Sequence, residues 1–286
     1  MTPTTLIFCL VSRTLRSLLV LLSFLMLPME GVGDELVMGY RTNERLPFID
    51  DETNNGIYLD LFGEACRKIG VALKVVRLPK VRVAHALQQG TVDFYPGYSF
   101  TVERASHITF FPNGLMERYV VVNRLDDPPI SAYENLIGKT EIRSLGNPSF
   151  LPAAIQSQVK SSDAGELGIA RALRMVDAGR VDFFIYDETT LRYYWPRLNT
   201  AKLRLNDSLD RLVPMYTGWS KKSPHLKFIK NPKYLSDKAL SAENQPEIPD
   251  PQSLAGRLEA ALLSMNQSGE TKAIIRKHMD MRAPGP

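Results

Sequence analysis

In the first third of the chain, apolar residues follow two different spacings, one typical of helices and one typical of strands. Residues 59–69 place apolar side chains on one helical face, whereas residues 73–78 alternate and are rich in valine. Spacings of three and four residues predict a helix, and alternation predicts a strand. Over this region the patterns predict helices at 59–69 and 81–89 and strands at 36–40, 73–78, 91–95 and 119–123. Strands separated by helices are typical of a doubly wound α/β fold.

A second α/β region begins after residues 126–129, where the sequence Asp-Asp-Pro-Pro interrupts the pattern. Its predicted elements are a strand at 139–143, helices near 151–159 and 166–178, a strand at 181–186 and an extended segment at 213–220. Residues 221–252 are rich in proline, lysine, serine and asparagine, which predicts a long surface excursion before the C-terminal helices. We therefore expect two lobes, residues 34–119 plus 219–286 and residues 124–213, joined by hinge crossovers near 120–123 and 213–218.

Two short segments, one in each predicted lobe, have similar sequences. The first segment is ALQQGTVDF at residues 86–94, and the second is MVDAGRVDF at residues 175–183. Each predicts the end of a helix, a glycine in the left-handed conformation that closes the helix, and a short buried strand. We assign structural roles to the aspartates of these strands, Asp93 and Asp182.

Polar residues follow both segments, beyond the strand ends where α/β sheets usually bind ligands. The first segment leads to Gly97, Ser99, Thr101 and Arg104, and the second leads to Asp187. If the two lobes face a cleft, one wall supplies a cation with hydroxyl groups and the other supplies an anion. A guanidinium pairs with a carboxylate through two parallel hydrogen bonds, and charge makes such bonds strong. The arrangement suits a small zwitterion.

The N-terminus differs in composition from the rest of the chain. Two arginines precede an uncharged, mostly apolar run at residues 17–27, and small residues follow at 31–33. The apolar run is shorter than the roughly 20 residues that a membrane span needs. This order predicts a secretory signal peptide at residues 1–33, cleaved before Asp34, and therefore a periplasmic protein. The alternative is an uncleaved membrane anchor.

Charge, cysteine content and the absence of certain sequence motifs exclude several classes of function. The net charge of +4 falls to +3 without residues 1–33, which hold two arginines and one glutamate. The sequence has no basic block, so we expect no nucleic-acid partner. Cys9 lies in the predicted signal peptide, which leaves Cys66 without a disulfide partner. The four histidines lack metal-ligand spacing, and the sequence has no phosphate loop, dinucleotide or hydrolase motif. We therefore expect no metal and no cofactor.

Several motifs occur in a characteristic order along residues 34–282. They are Leu46 to Phe48, Gly56 to Asp60, Gly90 to Asp93, Thr101 to Arg104, Leu136 to Lys139, Gly146, Gly179 to Asp187 and Gly269 to Ile275. On these motifs the chain resembles the family 3 extracellular solute-binding proteins of bacteria. The resemblance implies the type II periplasmic binding protein fold, a two-lobed α/β clamshell.

The resemblance also implies roles for particular residues. In members that bind amino acids, the arginine of Thr-x-x-Arg holds the ligand carboxylate, and the acidic tip of the second lobe binds the ammonium. These roles fall on Arg104 and Asp187. The other residues expected at the ligand from these motifs are Gly97, Ser99, Thr101, Phe48 and Gly146.

The chain departs from the family pattern by carrying cations near the expected ligand. Lys80 stands where an aromatic residue is common, and Arg82 follows it two residues later. Arg41 and Glu44 stand where an acidic or aromatic residue is usual. We include Lys80 and Arg82 in the predicted ligand site. The ligand is then an amino acid, a dicarboxylate or another anionic metabolite.

Together these observations predict a monomeric periplasmic protein that captures a small polar solute. It performs no chemistry and delivers the solute to the membrane permease of an ABC-type importer. Two alternatives stay open: a periplasmic dehydratase of the same fold, with Glu44 or Glu188 as its acidic group, or a protein that reports the solute to a membrane receptor.

Overall fold

The structure is a computed structural model that describes residues 34–50, 52–143, 147, 149–163, 168–198, 200–207, 209 and 212–280. The predicted signal peptide and the predicted ligand residue Gly146 lie outside the described residues. Within the described ranges, no helix combines the length and the apolar character needed to cross a membrane.

The described chain alternates strands with helices, as the sequence pattern predicts. The strands are β1 (Glu35–Arg41), β2 (Ala72–Leu78), β3 (Phe94–Tyr95), β4 (Ile108–Glu117), β5 (Tyr119–Arg124), β6 (Thr140–Arg143), β7 (Lys160–Asp163), β8 (Phe183–Asp187), β9 (Leu203–Asn206), β10 (Val213–Ser220), β11 (Phe228–Lys230) and β12 (Glu247–Pro249). The helices are α1 (Ile57–Ile69), α2 (Lys80–Gln89), α3 (Val102–Ala105), α4 (Ala153–Gln156), α5 (Ile169–Asp177), α6 (Glu188–Tyr194), α7 (Leu254–Ser268) and α8 (Glu270–Asp280).

Two five-stranded sheets organise these elements, and both have the same strand order. The first sheet runs β2-β1-β3-β10-β4, and the second runs β7-β6-β8-β5-β9. In each sheet the fourth strand, β10 or β5, is antiparallel to both of its neighbours. The architecture confirms the predicted two-lobed α/β class. We call the first sheet with its helices the first lobe and the second sheet with its helices the second lobe.

The chain passes between the sheets at two connections. It enters the second sheet at Arg118, between β4 and β5, and returns through residues 207–212, between β9 and β10. Strand β5 belongs entirely to the second sheet and β10 entirely to the first. The hinge crossovers predicted near 120–123 and 213–218 are close to these connections and stay a prediction.

Each lobe has its own apolar core. Helices α1 and α7 pack on one face of the first sheet around Phe94 and Trp219. Helix α2 packs on the other face with Tyr95 and Phe110. In the second lobe, α5 and α6 pack against Val122 and its neighbours. Because the faces of the sheets are buried, polar residues emerge at the strand ends.

The two similar segments fold in the same way. The glycine of each segment has a left-handed φ angle, 80° in the first and 68° in the second. The Asp93 carboxylate accepts the Val37 N–H at 2.7 Å, and the Asp93 N–H donates to the Val37 carbonyl at 2.9 Å. Asp182 makes the same two bonds with Thr140, at 2.7 and 3.0 Å. Each aspartate thus ties its segment to the neighbouring strand of its sheet, β1 or β6, which confirms the predicted structural role.

The largest differences from the sequence prediction lie in residues 151–163 and 221–252. The helix predicted near 151–159 is the single turn α4, and the polar strand β7 follows it. Residues 221–252 contain the antiparallel pair β11 and β12, so this part of the chain is more regular than a surface excursion.

Residues 221–252 also cover an edge of the first sheet. Strand β4 is the outermost strand on this side. The Gln245 side-chain amide donates to the Phe110 carbonyl at 2.7 Å and accepts the Phe110 N–H at 3.0 Å. Gln245 is itself only 6% exposed. One side chain therefore satisfies both backbone groups of an edge residue.

Candidate functional site

Strand ends from both sheets meet at a small polar cavity, which we call the cleft. Its volume is about 20 Å³, which is room for about one water molecule. The residues that line it are Arg41, Arg45, Lys80, Tyr95, Gly97, Ser99, Glu117, Tyr119, Asn147, Phe150, Tyr186 and Asp187. The walls of the two lobes are therefore in close contact here.

Three cations of the first lobe donate hydrogen bonds across the cleft to the second lobe. The pairs are Arg41 with the Tyr186 hydroxyl, Arg45 with the Asp187 carboxylate, and Lys80 with the Asn147 side-chain carbonyl. In each pair the donor belongs to the first lobe and the acceptor to the second. The first lobe thus supplies a cationic wall and the second lobe supplies acceptor oxygens.

The ion pair between Arg45 and Asp187 is buried. The Asp187 Oδ2 accepts from Arg45 Nε at 3.2 Å and from Nη2 at 2.8 Å, and the side chains are 9% and 1% exposed. Burial lowers the pKa of Arg45, but Asp187, Tyr58, Tyr186 and Glu117 together outweigh it and raise the pKa well above its ordinary value. The other oxygen, Oδ1, accepts the Thr190 N–H at 2.9 Å and caps α6. Both carboxylate oxygens therefore have partners within the protein.

Aromatic side chains hold the other side of Arg45. Its Nη1 donates to the Tyr58 hydroxyl at 3.0 Å. The guanidinium carbon lies 4.8 Å from the ring centre of Phe48 and 5.5 Å from that of Tyr186. Tyr58 reaches this position because residue 97 is glycine: a Cβ there would lie 1.9 Å from the Tyr58 hydroxyl oxygen. Packing in the first lobe thus fixes the position of Arg45.

Arg41 is a buried cation with a neutral partner. It is 4% exposed, and its Nη1 donates to the Tyr186 hydroxyl at 3.1 Å. Its Nε has no hydrogen-bond partner among the described residues. No carboxylate of the described chain pairs with it. Because a buried charge without a counter-ion is destabilising, an anion beside Arg41 would be favourable.

Lys80 lies among other cations. Burial and the charges of Arg41, Arg104 and Arg45 lower the pKa of Lys80 well below its ordinary value, and Glu117 opposes them. An anion bound in the cleft would favour the protonated form of Lys80, because opposite charges stabilise each other at close range.

Two stacked aromatic rings form part of the wall. The ring centres of Tyr119 and Phe150 lie 3.8 Å apart, and the Tyr119 hydroxyl donates to Glu117 Oε2 at 2.9 Å. Burial and the Glu117 charge raise the pKa of Tyr119 well above its ordinary value, so its hydroxyl stays protonated. These rings give the polar cleft one flat, apolar surface.

Arg104 lies beside the cleft and not in its lining. Its Nη1 donates to the Ser99 carbonyl at 2.8 Å, and its guanidinium lies 4.1 Å from the ring centre of Tyr98. The Thr101 hydroxyl accepts the Arg104 N–H at 3.1 Å and begins α3. Arg104 and Lys80 line a neighbouring cavity of about 280 Å³. The hold of Arg104 on a ligand carboxylate stays a prediction.

The structure brings some of the other predicted ligand residues together and separates the rest. Those that line the cleft are Lys80, Gly97, Ser99 and Asp187. Phe48 is 2% exposed and lies under Arg45, within the core of the first lobe. Arg82 is exposed on α2, and no contact among the described residues joins it to the cleft.

Sequence reasoning did not identify Arg45, Tyr119, Asn147 or Phe150 as cleft residues. Arg45 belongs to a polar loop that follows β1 and shows no periodic pattern. A usable signal was its place just before the Leu46-Pro47-Phe48 motif, beyond the carboxyl end of a strand.

The described chain offers no arrangement typical of catalysis in the cleft. Glu188 pairs with Arg118 at 2.7 Å and with Arg192 at 2.6 Å, so both of its carboxylate oxygens already have partners within the protein. Among the described residues, no group of three or more histidine, cysteine, aspartate or glutamate side chains could hold a metal ion. The arrangement of cations and acceptors is suited to binding.

Comparisons with known proteins agree with the fold. The family model of the bacterial extracellular solute-binding proteins, family 3, matches residues 36–281. A search of curated protein sequences found no match.

Solved structures with the same fold come from several bacteria. A mutant of ArgBP from T. maritima is 21% identical, with a TM-score of 0.64 over 86% of this chain and 95% of that chain. The GluR0 ligand-binding core from Nostoc punctiforme, in complex with L-glutamate, is 18% identical, with a TM-score of 0.63 over 86% of this chain and 99% of that chain. A structure from work on glutathione import through GshT of Streptococcus mutans is 14% identical, with a TM-score of 0.66 over 87% of this chain and 95% of that chain.

Proposed function

The chain belongs to the bacterial extracellular solute-binding proteins of family 3, and we propose that it captures a small carboxylate-bearing solute for an ABC-type importer. The solute binds in the cleft, and a membrane permease receives it. The signal peptide predicted at residues 1–33 directs the chain to the periplasm, where the mature protein begins at Asp34.

The cationic wall of the cleft is the observation that carries this proposal. Arg41, Arg45 and Lys80 line the cleft with the acids Glu117 and Asp187, and Asp187 is already paired with Arg45. A carboxylate beside Arg41 and Lys80 gains charge-assisted hydrogen bonds in a place with little water. A neutral or cationic solute would leave the charge of Arg41 without a counter-ion.

Capture requires the lobes to separate and close, because the cleft has room for about one water molecule. We place the hinge for this motion near residues 120–123 and 213–218. Closure brings the cationic wall and the acceptor wall together around the solute.

Solved structures of this fold support a solute with a carboxylate. L-Glutamate, named for the Nostoc punctiforme protein, is an amino acid and carries this group. At identities of 21% or less the likeness concerns the fold alone, so the ligand of this chain is argued from its own cleft.

Binding of a solute panel to the wild-type protein and an Arg41→Met variant tests the proposal. In thermal unfolding, a true ligand at about 100 times its Kd raises the free energy of unfolding by about 2.7 kcal/mol. Arg41→Met is expected to weaken binding about tenfold or more, because the ligand carboxylate loses a buried charge partner. Arg171→Met is the matched control, since it removes the same charge from an exposed position on α5.

Two results would contradict different parts of the proposal. Equal affinity of wild type and Arg41→Met would show that the carboxylate does not bind at this wall. No stabilisation by any carboxylate in the panel would overturn the proposed function itself.

A second candidate function is sensing, in which the protein binds the same solute and reports it to a membrane receptor. The likeness to the GluR0 ligand-binding core favours this alternative. Solute-loaded protein that stimulates a reconstituted permease supports import, whereas loaded protein that binds only a membrane receptor supports sensing.

A further inference from the structure

We propose that Arg45 permanently occupies the place where the second lobe would bind a ligand's cation, so that the solute is a carboxylate without an ammonium group, such as a dicarboxylate. This inference rests on the proposed function and specifies its substrate class. It departs from the zwitterion predicted from the sequence, in which Arg104 binds a carboxylate and Asp187 binds an ammonium group.

The first step concerns Asp187, the acid expected to bind an ammonium. Its Oδ2 accepts two N–H groups of Arg45, and its Oδ1 accepts the Thr190 N–H. At 1% exposure, the carboxylate has no surface to offer a solute while Arg45 is in place. A ligand ammonium would therefore have to displace the guanidinium.

The second step concerns the cost of that displacement. Arg45 is held by the Tyr58 hydroxyl and by the rings of Phe48 and Tyr186 as well as by Asp187. Phe48 and Tyr58 belong to the apolar core of the first lobe, 2% and 0% exposed. A displaced Arg45 would stay among these side chains as a buried cation without its carboxylate, which is strongly unfavourable.

The third step concerns the charge that a solute meets. With Asp187 neutralised by Arg45, the remaining charged groups of the cleft lining are Arg41, Lys80 and Glu117. Arg41 is 4% exposed, and its Nε has no partner among the described residues. Carboxylate oxygens satisfy this N–H and the charge of Arg41 together. An ammonium in the same space would face two cations and compete with Tyr119 for Glu117.

Pairs of solutes that differ by a single ammonium group test the inference on the wild-type protein. Succinate is compared with L-aspartate, and glutarate with L-glutamate, by titration calorimetry. The panel is widened to other carboxylates and their amino counterparts. We expect the member without the amine to bind at least about tenfold more tightly in whichever pair binds, a ratio that a misplaced buried charge readily produces.

Two results distinguish failure of this inference from failure of the proposed function. Equal or tighter binding of the amino acid would overturn the inference, because Arg45 would then move aside for an ammonium, and would leave the proposed function standing. Binding of no carboxylate at all would overturn both.

Variants of the ion pair provide an independent readout. Arg45→Met exposes the Asp187 carboxylate to the solute, so the affinity ratio within a pair is expected to move toward the amino acid by about tenfold. An unchanged ratio in folded Arg45→Met protein would overturn the inference. Arg171→Met, exposed on α5, is the matched control and keeps the wild-type ratio.

Asp187→Asn keeps the test decisive if Arg45→Met fails to fold. It weakens the hold on Arg45 while preserving the shape of the side chain, so both members of a pair are expected to lose affinity by the same factor. A loss confined to the amino acid would show that Asp187 binds the ligand ammonium and would overturn the inference.

Discussion

The two lobes have the same strand order, yet the polar groups beyond their similar segments make different contacts. In the first lobe, Arg104 bonds to the Ser99 carbonyl and packs on the ring of Tyr98. In the second lobe, Asp187 bonds across the cleft to Arg45. A shared topology therefore determines where polar groups emerge, and the loops determine which lobe they contact.

The aspartates of the two segments show the same contrast on a smaller scale. Asp93 is 4% exposed, and its second oxygen accepts the Ser223 hydroxyl at 2.6 Å. The Asp182 side chain is 39% exposed, and its second oxygen lies 3.8 Å from Arg124 Nη2. The two aspartates thus make the same backbone bond, but their side chains differ in exposure to water.

The largest expected effect comes from removing the contact that crosses the cleft. Arg45→Met leaves the Asp187 carboxylate buried with the Thr190 N–H as its remaining partner. Loss of one member of a buried ion pair lowers the free energy of unfolding by about 3–5 kcal/mol. Arg104→Met removes the same charge from a side chain that bonds to the Ser99 carbonyl and packs on the Tyr98 ring, and is expected to cost about 1 kcal/mol or less. Urea unfolding of both variants measures the difference.

A double variant tests how much of this loss comes from the Asp187 carboxylate that Arg45→Met leaves without its ion-pair partner. Asp187→Asn in the Arg45→Met background removes the unpaired carboxylate and is expected to recover part of the lost stability. Equal losses for Arg45→Met and Arg104→Met would contradict the distinction between the two contacts.

A smaller difference is expected between the paired aspartates. Asp93→Ala leaves the Val37 N–H and the buried Ser223 hydroxyl without their acceptor and is expected to cost about 1–3 kcal/mol. Asp182→Ala is expected to cost about 1 kcal/mol, because water can reach Thr140 at a partly exposed position. The matched Asp→Asn variants keep an acceptor oxygen and provide the control. If thermal unfolding shows a greater loss for Asp182→Ala, solvent access is not what separates the two segments.

The smallest expected effect is a pH dependence of binding through Lys80. Burial and the neighbouring charges of Arg41, Arg104 and Arg45 lower its pKa in the folded protein, against Glu117. An anion in the cleft raises that pKa, so binding takes up a proton between the two values, and affinity falls as pH rises through this interval.

The same shift fixes the sign of its effect on stability. In the unfolded chain Lys80 keeps its proton up to about pH 10.4. The contribution of Lys80 to the free energy of unfolding therefore rises as pH increases from the lowered pKa toward that value. Calorimetry in buffers of different ionisation enthalpy counts the proton taken up on binding, and Lys80→Met should abolish it. Uptake that persists in Lys80→Met would assign it to another group.

Apolar patterning accounts for most of the fold that could be predicted. The valine-rich alternation at 73–78 and the apolar face at 59–69 became β2 and α1, because burial of those faces outweighs local preference. Strand β7, with the sequence KSSD, was missed because it lies at a sheet edge and has no apolar pattern. Its pairing depends on its neighbour β6 and not on its own side chains.

The chemistry of the cleft was less predictable than its location. The sequence predicted Lys80 and Asp187 as cleft residues because each lies at or just after the carboxyl end of a strand, β2 or β8. The pairing of Arg45 with Asp187 joins residues 142 positions apart, and no local pattern encodes such a contact. The role predicted for Arg104 stays a prediction: its guanidinium lies over the ring of Tyr98, beside the cleft.

The side chain of Gln245 has a consequence for how copies of the protein meet. An outer strand with unpaired N–H and carbonyl groups is a template on which a second chain can add a strand, which is the first step of many aggregates. At Phe110 the side-chain amide already takes both groups. The amide thus blocks strand addition at this point and leaves the apolar residues of β4 available for the core.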